Sequence, residues 1–454
     1  MSSLFPRNFR KNYPVAVRGE GCWIISADGR RFLDASGQAA VVNIGHGVPE
    51  IGRAMAAQSS QLAFAHTSQF HSAPAEKLAA RLLQMAPQNF HDGGRVYFTS
   101  GGSEATETAI KLARQFHLET DAPQRYGVIS RRQSYHGSTL AAMAVSGNVA
   151  RRAAYQPLLP EWGHIEPCFP YHRPIHPSGN NQSEKDYAVA CADDLDKFLR
   201  GPSGRTAAAF IFEPIVGATL GAAVPPEGYV ARIAEICRHH KILLIADEIM
   251  SGIGRTGKPF AVQHWQQENI EPDIILVGKG IASGYAPLGA VLISRRVVSA
   301  FERGSGIFQH GFTYQSHPVA TAAGNAVLDY LEAHNLFARV DVISKILRQD
   351  LTPLLAHPHV GDIRGLGLLL GIEFVKDKNS REPFPPSENI AERVRQAAME
   401  EGVLIYPTQG CVDGLRGDHL LLAPPFILSA EESAKIAAAL QSAIAKVFPS
   451  LSKY

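Results

Sequence analysis

Cysteine is scarce in this chain. Cys22, Cys168, Cys191, Cys237 and Cys411 are odd in number, scattered through 454 residues and form no C-x-x-C pair. That excludes a disulfide frame and a thiolate zinc site, and reads as reduced thiols of a cytoplasmic protein. Net charge is also scarce: +2, with no basic block. No nucleic-acid partner is therefore expected. No apolar run reaches the roughly 18–20 residues that span a bilayer, so no membrane partner is expected. The opening MSSLFPRNFRKNY lacks the apolar stretch of a secretory signal. The 18 histidines include no H-E-x-x-H; His172 and His176, in YHRPIHP, could bind a metal but read as a polar loop, and no metal is expected. There is no internal repeat and no low-complexity tract.

What is present is a large apolar fraction, 45%, enough for two or three domains. Two short runs stand out. Ile242–Ala246 runs into Asp247, and Ile274–Val277 runs into Gly278-Lys279-Gly280. Unbroken runs rich in Ile and Leu predict strands buried on both faces of a parallel sheet. Ligands of such sheets sit at the carboxyl ends of the strands. Asp247 and Lys279 are therefore expected on one sheet edge. A lysine amine forms a Schiff base with an aldehyde, and a carboxylate keeps a pyridine nitrogen protonated. Together they are the protein groups that pyridoxal 5'-phosphate requires. For either residue alone, a capping carboxylate or a surface lysine is the commoner reading.

Other strand ends join them. The strand Arg95–Ser100 feeds Gly101-Gly102-Ser103-Glu104 and then a helix over Ala105–Phe116; free N–H groups at a helix start suit a phosphate. Tyr126–Ser130 leads to Tyr135 and His136, and an aromatic there can stack on a flat ring. Ala207–Phe212 ends at Glu213. Five endings (Gly102-Ser103, Tyr135, Glu213, Asp247 and Lys279) are thus expected on one edge. A hairpin is predicted around Asp28-Gly29, helices over Ala75–Met85 and Tyr229–His239, a strand over Gly284–Ser294 and a loop over residues 163–186. The glycine-punctuated Ser36–Gly47 reads either as a connector or as chain passing close to a ligand. After about residue 325 the pattern becomes α+β: helices over Asn335–Leu355, Ile390–Glu401 and Ala430–Val447, with strands over Gly365–Phe374, Val403–Tyr406 and Leu420–Leu422.

The motifs GGSEATETAIKLAR, SYHGST, FEPIVG, IADEIMSGIGRTG, PDIILVGKGIASGYAPLGA, HGFTYQSHP and GDIRGLGLLLGIEF, in this order, resemble the class III pyridoxal-phosphate aminotransferases over nearly the whole chain. The resemblance implies an α/β protein of fold-type I. Residues 61–325 would form a large, mostly parallel-sheet domain that binds the cofactor. Residues 1–60 and 326–454 would form a small α+β domain from both chain ends. It implies a homodimer, possibly a tetramer, with shared active sites, an amine donor and a 2-oxo acid acceptor. Lys279 would carry the Schiff base and act as the base. Asp247 would pair with the pyridine nitrogen. Tyr135 and Ile249 would lie on opposite faces of the ring, with His136 beside it. Gly102 and Ser103 would bind the phosphate, reached by Thr313 of the other subunit, and Glu213 would lie near the ring hydroxyl.

Two departures bear on the substrate. Relatives that use 2-oxoglutarate carry Glu where this chain has Ala218, which favours the amine:pyruvate, or ω-transaminase, branch. There Arg416 would be the mobile arginine that meets the acceptor carboxylate. Ala40 stands where a bulky Trp often lines the pocket, which suggests room for a large amine. A decarboxylating relative of the dialkylglycine type, an aminomutase and a cofactor-binding protein without turnover are the alternatives.

Overall fold

The computed structural model describes residues 3–173, 183–268 and 270–449. Its centre is a seven-stranded sheet in the order Arg95–Thr99, Gly289–Ile293, Ile274–Val277, Leu243–Asp247, Ala207–Phe212, Gly127–Arg131, His164–Ile165. Gly289–Ile293 is antiparallel to both its neighbours, and the other pairings are parallel. The inner strands are buried along their whole length, as unbroken apolar runs require. Their side chains alternate between two cores, following the two-residue period of a strand. Ile245, Leu276 and Val291 pack with Ala109 and Ala113 of the helix Gly102–Glu119. Leu244, Ile275 and Leu292 share the opposite core with Tyr229 and Ile233 of the helix Tyr229–His239.

Both chain ends meet in a second sheet. The strands Ala16–Glu20, Trp23–Ser26 and Arg31–Asp34 form an antiparallel ribbon, and Val403–Leu404 adds to it in parallel beside Arg31–Asp34. A separate antiparallel sheet holds Val360–Leu366, Leu369–Phe374, Asp418–Leu422 and Tyr406–Gln409. The helix Ala430–Val447 closes the chain; its Ser429–Glu432 capping box satisfies the first turn, and Glu432 also accepts from the Trp23 indole at 2.7 Å. Among the described residues no helix is long and apolar enough to cross a membrane.

Three sequence expectations need correcting, and one helix was not expected. Val403–Tyr406 is not one strand: Val403–Leu404 and Tyr406–Gln409 hydrogen-bond into different sheets, with Ile405 between them. Gly284–Ser294 is strand only over Gly289–Ile293, where pairing with Thr99 begins. The expected loop 163–186 contains the edge strand His164–Ile165 and the start of a helix over Glu184–Arg200; residues 174–182, with His176, lie outside the described residues. That helix is capped by Ser183 and buries Ala188, Ala192, Leu195 and Leu199, a stripe half made of alanine and so faint in the sequence. A helix over Pro49–Gln61 buries only Ile51, and its polar faces gave no periodic signal.

Candidate active site

A cavity of about 510 Å³ opens at the carboxyl ends of the parallel strands. Gly102, Ser103, Tyr135, His136, Glu213, Asp247, Ile249 and Lys279 all line it, although they come from five separate chain segments. The structure thus brings together every expected cofactor residue except Thr313.

Asp247 ends its strand with its carboxylate buried and doubly held. Oδ2 lies 2.7 Å from Nδ1 of His136, and Oδ1 accepts the Ile249 N–H at 3.1 Å. Glu213, one strand over, accepts from the N–H of Tyr135 at 3.0 Å and from the N–H of Gly217 at 2.8 Å. Burial raises the Glu213 carboxyl above its ordinary range; His136 pulls it down and the neighbouring Asp247 charge pushes it up further. Lys279 has φ +45°, in the left-handed region that costs a side chain of this kind on the order of 1–2 kcal/mol. Its neighbours hold it there: the Asn43 side chain donates to the Gly280 carbonyl, and Ser283 Oγ accepts from the N–H groups of Asn43 and Ile44. Nζ donates to the Ala39 carbonyl at 2.9 Å. Burial lowers the Lys279 ammonium to about 8, against the opposing pull of Asp247 and Glu213.

The helix Gly102–Glu119 points its first turn at the cavity, and Ser103 Oγ accepts from the Ser138 N–H at 3.0 Å. Ile249 lies directly over this turn: a Cβ on Gly102 would come within 2.6 Å of Ile249 Cδ1. Only glycine leaves both the helix start and the isoleucine in place. The donor set therefore fits pyridoxal phosphate. There is a depressed lysine amine for the aldehyde and a held carboxylate for the ring nitrogen. A helix N-terminus cleared by glycine faces the anion, and Tyr135 and Ile249 offer flat and apolar surfaces.

Thr313 and Arg416 do not line this cavity. Thr313 is exposed, in the segment anchored by the contact of His310 Nε2 with Thr108 Oγ1 at 3.0 Å. Arg416 is held outside by Asp413, which takes both its N–H and its Nε at 2.7 Å. In the Ser36–Gly47 stretch it is Ala39, not the buried Ala40, that faces the cavity; Gln38, Ala39 and Ala40 all have positive φ and turn the chain past Lys279. Sequence reading missed Arg131, Asn148, Arg151 and Thr219. Arg131 is almost wholly buried and donates to the Glu213 carbonyl at 2.6 Å. Asn148 caps the short helix Val149–Arg152, and the spacing N-x-x-R was the available signal. His172, Glu373 and Cys411 bring ligand atoms within 4.8 Å of one another, but the Glu373 carboxylate is already engaged by Arg364 at 2.8 Å.

Comparison with known proteins agrees with this geometry. A family profile described as aminotransferase class-III matches residues 5–444. The aminotransferase YodT of Bacillus subtilis is 37% identical over 100% of this chain and 99% of its own length. The solved structure of a thermostable (S)-enantioselective omega-transaminase from Thermomicrobium roseum superposes with a TM-score of 0.90 at 35% identity, covering 98% of this chain and 96% of that one. An amine transaminase from an uncultivated Pseudomonas species, solved with PLP bound, gives 0.88 at 35% identity, covering 98% and 97%. The central sheet with its flanking helices is the fold-type I architecture of these enzymes. Match length, identity and fold lead to one conclusion: this chain belongs to the class III aminotransferases.

Proposed function

We propose that this aminotransferase moves an amino group from a primary amine or ω-amino compound to a 2-oxo acid, with pyruvate as acceptor, in two half-reactions that alternate at one site. The observation that carries the reading is the single cavity onto which Lys279, Asp247, Glu213, Tyr135 and the Gly102-Ser103 helix start all open. Pyridoxal 5'-phosphate is the cofactor of the class, and when bound it supplies a protonated ring that withdraws electrons from the amine-bearing carbon. The protein's own residues do the rest. Lys279, with an amine that is neutral above about pH 8, would take the proton from that carbon and hold it at Nζ. Asp247, fixed by His136 and the Ile249 N–H, keeps a proton on the ring nitrogen by its charge. Tyr135 and Ile249 would hold the ring. Ser103 and the helix N-terminus would hold the phosphate.

Two finer points belong to the same reading. The functional unit is a homodimer in which Thr313 reaches the phosphate of the partner's site. The exposure of Ile307 and Tyr314, in the same segment as Thr313, supports this, since exposed apolar side chains favour a covered face. Pyruvate is favoured because Ala218 lines the cavity where users of 2-oxoglutarate carry a glutamate. Half-reaction spectra test the proposal: a panel of amines is used to load the enzyme with amino groups, and pyruvate or 2-oxoglutarate is then used to unload it. Alanine formation at a rate exceeding glutamate formation supports it. The reverse order moves the acceptor to 2-oxoglutarate, and carbon dioxide released from a dialkylated amino acid moves the enzyme to the decarboxylating type.

A further inference from the structure

Two arginines are candidates to meet a substrate carboxylate, and the structure treats them differently. Arg416 is satisfied by Asp413 and stands outside the cavity. Arg151 lines the cavity, and among the described residues no carboxylate pairs with it. Its neighbour in type, Arg132, is by contrast paired with Glu166 at 2.7 Å. The Arg151 guanidinium lies 4.5 Å from the centroid of the Tyr135 ring. Stacking on an aromatic face is favourable for a planar cation and fixes the orientation of its fork. The backbone beneath it is fixed as well, because Asn148 Oδ1 accepts the Arg151 N–H at 3.0 Å.

Resting on the aminotransferase reading above, we infer that Arg151 is the residue that recognises the carboxylate of the oxo-acid acceptor. A planar fork takes a carboxylate through two parallel hydrogen bonds. Tyr135 holds that fork over the same cavity as Lys279, so the acceptor's carbonyl carbon and its carboxylate can be met at once. The same arrangement admits an uncharged amine, which leaves Arg151 on Tyr135. The positive charge of Arg151 is also felt at Lys279, where it helps to lower the ammonium. Arg7 reaches the same wall, but from the irregular segment before Ala16, without a cap or a ring beneath it.

The experiment compares pyruvate with acetaldehyde, an acceptor that lacks the carboxylate, in the cofactor-loaded enzyme and in Arg151→Ala, Arg151→Lys, Arg416→Ala and Arg7→Ala. Cofactor content is measured for each. Losing a charge-assisted pair predicts that Arg151→Ala raises KM for pyruvate about 10- to 100-fold. The loss with acetaldehyde is at least about tenfold smaller than the loss with pyruvate, which separates carboxylate binding from any effect on Lys279 that both acceptors share. Arg151→Lys recovers only part of the pyruvate affinity, since an ammonium lacks the fork. Equal losses for both acceptors, or lost cofactor, overturn the inference in favour of a structural or cofactor role. A pyruvate-selective loss in Arg416→Ala or Arg7→Ala with Arg151→Ala unaffected also overturns it. Failure of the parent reading looks different: the unmodified enzyme then transfers no amino group to pyruvate at all.

Discussion

Nδ1 of His136 and Oδ2 of Asp247 stand 2.7 Å apart, and both side chains are almost wholly shut off from solvent. With an ionised carboxylate on one side, the imidazole must donate through Nδ1–H. Its other nitrogen, Nε2, has no hydrogen-bond partner among the described residues. The histidine side chain is thus engaged by the carboxylate, and with the Ile249 N–H it fixes both carboxylate oxygens.

That relationship separates two substitutions. An Asn side chain can place an amide N–H near the position of Nδ1–H, whereas Ala cannot. Loss of one hydrogen bond to a buried charge is worth roughly 1.5–3 kcal/mol, or about 10- to 150-fold in rate. We expect His136→Ala to lose kcat by that factor and His136→Asn to recover most of it, with KM for the amine little changed. Equal loss in both variants would assign the effect to packing.

The Lys279 amine predicts a pH signature. Burial holds its ammonium near 8, so the neutral, nucleophilic form grows about tenfold per unit below that pH and is nearly complete above it. Capture of pyridoxal phosphate by the cofactor-free protein should therefore accelerate as pH rises toward 8 and then level off. An unperturbed lysine would keep accelerating for about two more units. Stopped-flow absorbance resolves the two curves, and Lys279→Ala should show no capture at any pH.

How much of this was legible beforehand can be argued from single residues. Ile274–Val277 and Ala207–Phe212 were read to the residue, because strands buried on both faces show as uninterrupted apolar runs. The cavity's Asp247, Lys279 and Glu213 were legible because each terminates such a run. Arg151 was not, because its place depends on Tyr135 sixteen residues before it and on a four-residue helix too short to leave a period. The split between Val403–Leu404 and Tyr406–Gln409 was hidden for a related reason: which sheet a strand joins is decided by partners distant in sequence, here Arg31–Asp34 and Asp418–Leu422. Arg416 was read as a ligand on family likeness, and no pattern in its loop announced Asp413 as its partner.

The small sheet braces the cavity wall, and one glycine permits it. A Cβ on Gly371 would meet the carbonyl oxygen of Gly221 at 2.0 Å, a backbone atom that cannot rotate away. Nearby, Arg364 donates to the Leu220 carbonyl and His419 Nε2 lies 2.7 Å from the Ala218 carbonyl, so the loop carrying Ala218 and Thr219 is clamped to that sheet. Gly371→Ala must push the loop inward. Overpacking of this kind costs about 1–3 kcal/mol. We expect a lower urea midpoint together with a raised KM for the amine. An unchanged KM would mean that the loop does not set the wall.

Arg255 is the strongest test of how the chain ends are joined to the sheet. Only 2% exposed, it spends its guanidinium on three carbonyls: Leu368 at 3.3 Å, Val42 at 3.2 Å and Pro424. The cation also lies 4.7 Å from the Phe426 ring centroid. Burial lowers its pKa to about 9, with Asp34 the one charge pulling it back up. A cation so placed is costly to bury and more costly to lose, since its removal strands three carbonyls from segments far apart in sequence. Arg255→Met keeps most of the volume and removes every donor; it should destabilise the fold by about 3–5 kcal/mol, as for other buried networks that lose one member. Arg255→Lys keeps the charge but cannot reach three carbonyls with one ammonium, so it should fall between. Equilibrium unfolding at neutral pH ranks the three proteins. If Arg255→Met proves as stable as the parent, the carbonyls find other donors and the guanidinium does not hold the chain ends in place.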